Sequence, residues 1–336
     1  MRKVLILGFI SLAILSSCNS KKYFKPETRD HIPAVKHSIN SKIKFLNQKG
    51  ATLNNGEYIT KNGSGVVNLG KDYKYINESS RYILSSNGSG NLKVISKSSK
   101  ESVVVIGLKV PVVTASISGN IIVYLLEDNS YGIYNISNNM KLWEDKSQKV
   151  FAIDTRVANP IFVGNSIILP TLDGKLLTLK ANNKSATTTI YISAEKTFNN
   201  AIILEKVGSK IITASSHGIM TIQNGVENRL RAKISEVIIA NNAIYIFTKS
   251  GNIIKTDMNL KEITTLKFDF AHYSVVGSYN NKLFALDFKG SLVVLNSDLS
   301  KHRIYKFEDV DRYTFISNGR LFKNKEVISL NNLNYE

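Results

Sequence analysis

The chain has 336 residues, 44 Lys and Arg against 26 Asp and Glu, a formal net charge of +18, and a single cysteine. A 43% hydrophobic content over that length allows a large core, and one cysteine excludes an intramolecular disulfide, so burial must stabilise the body. The charge bears on partners and association rates rather than fold. It suits anionic lipid, an anionic envelope polymer or an acidic protein surface; a lysine-rich proteome is the alternative explanation of the same charge.

In chain order, residues 1–17 read as a secretory signal. Arg2 and Lys3 precede an apolar run from Val4 to Leu15, broken only by Gly8 and Ser11. That run falls short of the roughly 20 residues a membrane span needs. The run ends in Leu15-Ser16-Ser17-Cys18, which resembles the lipobox of bacterial lipoproteins. The resemblance implies cleavage before Cys18 and acyl chains such as palmitate on that cysteine, which anchor the body to a membrane. Asn19 in place of Asp implies delivery to the outer membrane by the lipoprotein sorting rule. Residues 18–41 carry Lys21, Lys22, Lys25, Arg29 and Lys36 with Pro26 and Pro33, and show no apolar period. They read as the lipidated cysteine and a basic, mostly extended linker beside anionic headgroups.

From about residue 72 one unit recurs: strand, Asn or Gly turn, strand, polar-Gly turn, strand, polar turn, strand. In the clearest copy, Glu236–Ala240 precedes the turn Asn241-Asn242, then Ala243–Thr248, a turn at Ser250-Gly251, Asn252–Thr256 and Ile263–Phe268. β-Branched and aromatic runs between Asn/Gly turns are hairpin signals. The second turn is marked by Gly90, Gly132, Gly174, Gly218, Gly251 and Gly290, at spacings of 42, 42, 44, 33 and 39. Four strands in roughly 40 residues make one blade of a β-propeller. The expectation is an all-β propeller over 42–336, of four-stranded antiparallel blades. Six blades are expected at 72–107, 109–146, 158–193, 200–234, 235–268 and 272–307. The strand-like Tyr313–Ser317, Arg320–Lys323 and Glu326–Leu330 lack a fourth strand. A segment within 42–69, such as Ile43–Leu46 or Val66–Leu69, is expected to complete that blade and close the ring. That gives about seven blades; a separate blade at 45–70 would make eight. Closure removes exposed sheet edges.

Signs of enzyme chemistry are sparse. His31, His37, His217, His272 and His302 form no His-Glu-x-x-His motif, and no second cysteine can build a thiolate site. His31 and His37 fall in the linker, and His217 in a hairpin turn. Gly63-Ser-Gly65 and Gly88-Ser-Gly90 complete no phosphate fingerprint. Glu308, Asp309 and Asp311 could supply oxygen ligands to Ca²⁺, but match no loop motif, and a solvated connection explains them better. No catalytic, cofactor-binding or metal residue is assigned, so Cys18 is the one site residue, as the lipidation site.

Asp128–Asn135 running on to Asn139–Glu144, Leu172–Lys180 and Phe288–Asn296 resemble PQQ-like repeats, with Trp143 keeping the repeat's tryptophan. A lipobox followed by such repeats is similar to the BamB family of outer-membrane β-barrel assembly lipoproteins. The resemblance implies a monomeric, non-enzymatic scaffold on the periplasmic side of the outer membrane, held by lipid on Cys18 and bound to an envelope assembly component. The alternative is a lipoprotein that binds an anionic envelope polymer or an acidic host protein. A quinoprotein-type enzyme fits worse, since a single tryptophan and no Asp-rich metal motif leave little to hold a quinone. Nucleic acid is not an expected partner.

Overall fold

A computed structural model describes residues 22–32, 36–61, 63–180, 187–307, 310 and 313–336. Every regular element among them is a strand, and the strands form eight sheets. Blades 2 to 7 occupy 74–107, 112–146, 161–191, 203–231, 234–267 and 273–306, each a meander of four antiparallel strands. The hairpin chemistry read from Asn and Gly operates as expected. Asn241 and Asn242 have φ of 51° and 55°, and Asn280 and Asn281 have 48° and 60°. Two successive left-handed residues make a type I′ turn, whose twist matches that of the flanking strands.

The recurring glycines divide into two kinds. Gly251 takes φ 87° in its turn, where a side chain would also meet the Phe268 carbonyl. Gly132 lies within the strand Ser130–Asn135, and Asn129, at φ 66°, makes the turn instead. At Gly132 the need is space: the Tyr124 hydroxyl and the Trp143 carbonyl leave no room for a Cβ.

Two expectations about the N-terminal region change. The segment within 42–69 does not complete the last blade. Ile43–Leu46, Gly50–Leu53, Tyr58–Thr60 and Gly63–Ser64 form a small blade of their own, blade 1, so the alternative of a separate blade near 45–70 holds and the ring has eight blades. Blade 8 is built from Thr314–Ser317, Arg320–Lys323 and Glu326–Ser329, and is completed by Lys36–Ser38, from the region read as linker. That strand pairs antiparallel with Glu326–Ile328. Backbone pairing needs no hydrophobic pattern, so three polar residues suffice.

The rest of the described linker is also docked. Asp30–His31 adds a parallel fifth strand to blade 7 through Tyr305 and Lys306, and Asp30 pairs with Arg303. Phe24 is buried edge-on against Phe268, ring centroids 5.6 Å apart, in the core between blades 6 and 7. The described residues from 22 to 38 therefore form a strap along blades 6, 7 and 8.

The core lies between blades. Eight hydrophobic clusters fill the eight blade interfaces, including that between blades 8 and 1, where Ile43, Ala51, Leu53 and Ile59 meet Phe322 and Val327. A closed ring leaves no open inter-blade face.

Candidate binding surfaces and central channel

The meander fixes two chemically different faces. In every blade the first strand starts where the chain enters from the previous blade and runs to the first hairpin turn. The inter-blade connections and the turns between second and third strands therefore share one face, called here the linker face. The first and third hairpin turns share the other, the turn face.

The innermost strands of blades 1, 5, 6, 7 and 8 wall a central cavity of about 840 Å³. Two ion pairs bridge it. Lys49, in the first turn of blade 1, reaches Glu205 on the inner strand of blade 5, 3.7 Å away across the ring. Arg156, in the long connection between blades 3 and 4, crosses to blade 6. It donates to Glu236 at 2.8 Å, to the Ser235 carbonyl, and to Asp154 at 2.5 Å. Burial favours a protonated Asp154, but the hydrogen bonds and charge of Arg156 prevail and hold this carboxyl below the ordinary range. For Glu236 burial prevails over Arg156, and its carboxyl is raised. These groups lie about 80 residues apart in sequence, so no local motif announces them. The only trace is the Asp154-x-Arg156 pair in a connection too long for a simple turn.

Buried asparagines fasten the linker-face loops. Asn129 bridges blades 3 and 4: its amide donates to the Gln148 carbonyl and to Asp173, and its side-chain oxygen accepts from Leu172 N–H. Asn200 bonds Asp154 N–H and the carbonyls of Asp154 and Arg156. Such bonds satisfy backbone groups that irregular connections would leave unpaired.

The linker face also exposes apolar rings. Among the described residues, the aromatic side chains more than about a third exposed are Tyr23, Phe45, Phe151, Tyr191, Phe198 and Phe270, with Phe151 at 94%. All but Phe45 belong to the linker face or its rim. The turn face is rich in Asn, Gly and Ser, carries the exposed cations Arg81, Lys100 and Lys261, and exposes the aliphatic side chains of Val103, Met140, Val207, Val226 and Ile263 beside its turns.

The histidines have structural surroundings. His217 bonds the Thr197 carbonyl at 2.8 Å, and His272 and His302 meet Phe288 and Phe268 edge-on. His37 lines a cleft of about 350 Å³ between blades 8 and 1, and His31 lies in the strap. Trp143 packs edge-on against Tyr131. Gly63 and Ser64 form the outer strand of blade 1, and Gly90 a hairpin turn. Among the described residues no group of three or more His, Cys, Asp or Glu could hold a metal ion, and no helix is long and apolar enough to cross a membrane. Cys18 and residues 1–17 lie outside the described residues, as do Glu308, Asp309 and Asp311.

This architecture is a BamB-like β-propeller. The crystal structure of BamB from Moraxella catarrhalis superposes with a TM-score of 0.65, covering 88% of this chain and 97% of that one at 13% identity. The C-terminal WD40 domain of Sif2 also gives 0.65, at 10% identity, over 90% and 99% of the two chains. Both likenesses are of fold alone. In sequence the chain is similar to the plasminogen-binding protein PgbB of two Helicobacter pylori strains. The identity is 26% over 378 aligned positions, covering 96% of this chain and 68% of the relative. No family model matches the chain. Fold and relatives together fit a binding scaffold.

Proposed function

We propose that this protein is a lipid-anchored envelope lipoprotein, cleaved before Cys18, whose propeller is a non-enzymatic scaffold for an extracellular host protein of the plasminogen kind. The observation that carries the reading is the likeness to PgbB, which spans 96% of the chain and so takes in the whole ring. Physical chemistry supports it. The ring is a rigid frame presenting turns from eight blades, and the excess of Lys and Arg, which loses only Arg2 and Lys3 on cleavage, favours acidic protein surfaces and speeds their encounter. The anchor reading rests on Leu15–Cys18, and the outer-membrane reading on Asn19 beside it.

The test is binding of the purified protein to immobilised plasminogen at two ionic strengths. Saturable binding that weakens several-fold when salt shortens the Debye length from about 10 Å to about 5 Å supports the reading. No binding at either ionic strength contradicts it.

A second reading, service to outer-membrane protein assembly on the periplasmic side, draws on the fold shared with BamB. The two differ in leaflet: a host-protein binder is reached by protease added to intact cells, and an assembly factor is shielded.

A further inference from the structure

We propose that the linker face is a lipid-binding surface, and that the propeller lies with this face on an anionic membrane. The inference rests on the anchor reading above.

A 24-residue extended linker would let the body tumble far from the bilayer. The strap removes that freedom. Lys22 lies 5.4 Å above the Phe270 ring, and Tyr23 packs 5.8 Å from Phe288. Lys289 sits 5.2 Å from both the Tyr23 and Phe288 rings. Lys22 follows Cys18 by four chain steps, and a fully extended chain over four steps reaches about 14 Å. A lipid on Cys18 therefore keeps Lys22 within that reach of the bilayer, and with it the connection between blades 6 and 7 and the second turn of blade 7, which the strap contacts.

The surface so held has membrane chemistry. Phe270 is 47% exposed beside Lys22, Phe198 is 41% exposed two residues from Lys196, and Phe151 is 94% exposed two residues from Lys149. Aromatic rings with neighbouring lysines suit the headgroup layer: the rings sit at the apolar boundary, and the ammonium groups reach up to phosphate. Phe151 and Phe198 belong to two adjoining connections tied together by the Phe198 N–H bond to the Ala152 carbonyl, so they project from one fastened platform. Water is a poor environment for an almost fully exposed phenylalanine, and the large side chains that the turn face exposes, Val103, Met140, Val207, Val226 and Ile263, are aliphatic rather than aromatic.

The experiment uses the full-length lipidated protein in vesicles of equal parts phosphatidylglycerol and phosphatidylethanolamine with brominated acyl chains. Single thiols are introduced as Phe151→Cys and Phe198→Cys on the linker face and Ser80→Cys on the turn face, and each is labelled with bimane. The expected result is quenching several-fold stronger at 151 and 198 than at 80. Equal quenching at all three, stronger quenching at 80, or none at 151 and 198 overturns the proposal. Intact mass of the same samples reports separately on the anchor. A mass without acyl chains overturns the anchor reading, and the face is then tested by floating the unlipidated protein with the same vesicles. Co-flotation lost in the Phe151→Ser, Phe198→Ser double variant supports the lipid-binding face; no flotation of the parent protein overturns it.

Discussion

The turn face and the linker face arise from the same eight blades, yet they are held together by different means. On the turn face, hairpins such as Asn241-Asn242 and Asn280-Asn281 are complete in themselves, each fixed by two left-handed residues. On the linker face, long connections are fastened by side chains from other blades, through Asn129, Asn200, Arg156 and Asp154. A self-contained turn can change its exposed residues freely, which suits a face that recognises a partner. A cross-braced loop carries neighbouring blades with it, which suits a face that rests on a support. The strap adds to this asymmetry by joining the linker-face side of blades 6 and 7.

The largest expected effect comes from the strap. Deleting residues 22–38 removes the closing strand of blade 8, the added strand on blade 7 and the buried Phe24 together. It should lower stability by several kcal/mol, about 5 or more, and thermal melts should show a broadened or multistep transition. Shortening the polar turn at Ser98-Ser99 should leave the midpoint nearly unchanged. Equal midpoints for the strap deletion and the parent would show that the strap closes nothing.

Phe24→Ala isolates one part of that effect. Its ring is 7% exposed in the core between blades 6 and 7, and its loss should cost about 3 kcal/mol by denaturant titration. Phe45→Ala, at a side chain 37% exposed in the channel wall, should cost about 1 kcal/mol or less.

The two bridges across the channel give a smaller contrast. Arg156→Ala leaves Asp154 and Glu236 facing each other without their cation, and should cost about 2 kcal/mol, below the range for a fully buried pair because the guanidinium is partly solvated. Lys49→Ala, which breaks a longer and more exposed pair, should cost less than about 0.5 kcal/mol. A cost for Lys49→Ala matching that for Arg156→Ala would remove the distinction.

Acid should act first on the linker face. Burial opposes ionisation of Asp128, Asp154 and Asp173, but their hydrogen bonds, chiefly to Lys146, Arg156 and Lys175, outweigh it and depress all three. A carboxyl depressed on folding contributes stability that is present above its unfolded value and is lost as pH falls through its folded one. Below about pH 4, hydrogen exchange in loop 147–160 should therefore accelerate before that of the turns at 241–242 and 280–281. Glu236 is raised and works in the opposite sense, favouring the fold as it takes up its proton, so the acid loss should be steeper in Glu236→Gln.

The sequence made the turns legible and the closure illegible, for physical reasons. Blade 6, expected over 235–268, is found at 234–267, because each strand alternates or runs apolar between residues that can take positive φ. Blade 1 has strands of four, four, three and two residues, too short for a period to emerge. The closing strand reads Lys-His-Ser, and its pairing partner is almost 300 residues away. It is held by backbone hydrogen bonds, which composition does not report. Tyr23 and Phe24 lay in view within a basic, Pro-containing stretch, and that aromatic pair was the one hint that the linker docks. The channel bridge of Arg156 was hidden for the same reason as the closing strand: it joins groups far apart in the chain.

If the turn face meets the protein partner while the linker face meets the membrane, charge reversal on the two faces should act differently. The most direct measurement compares plasminogen binding by two charge-reversal variants on vesicles: Arg81→Glu, Lys100→Glu, Lys261→Glu on the turn face, and Lys149→Glu, Lys196→Glu, Lys289→Glu on the linker face. The first should weaken binding about tenfold or more and the second leave it within about twofold of the parent. Binding that is lost in the second variant and kept in the first would contradict this division between the faces.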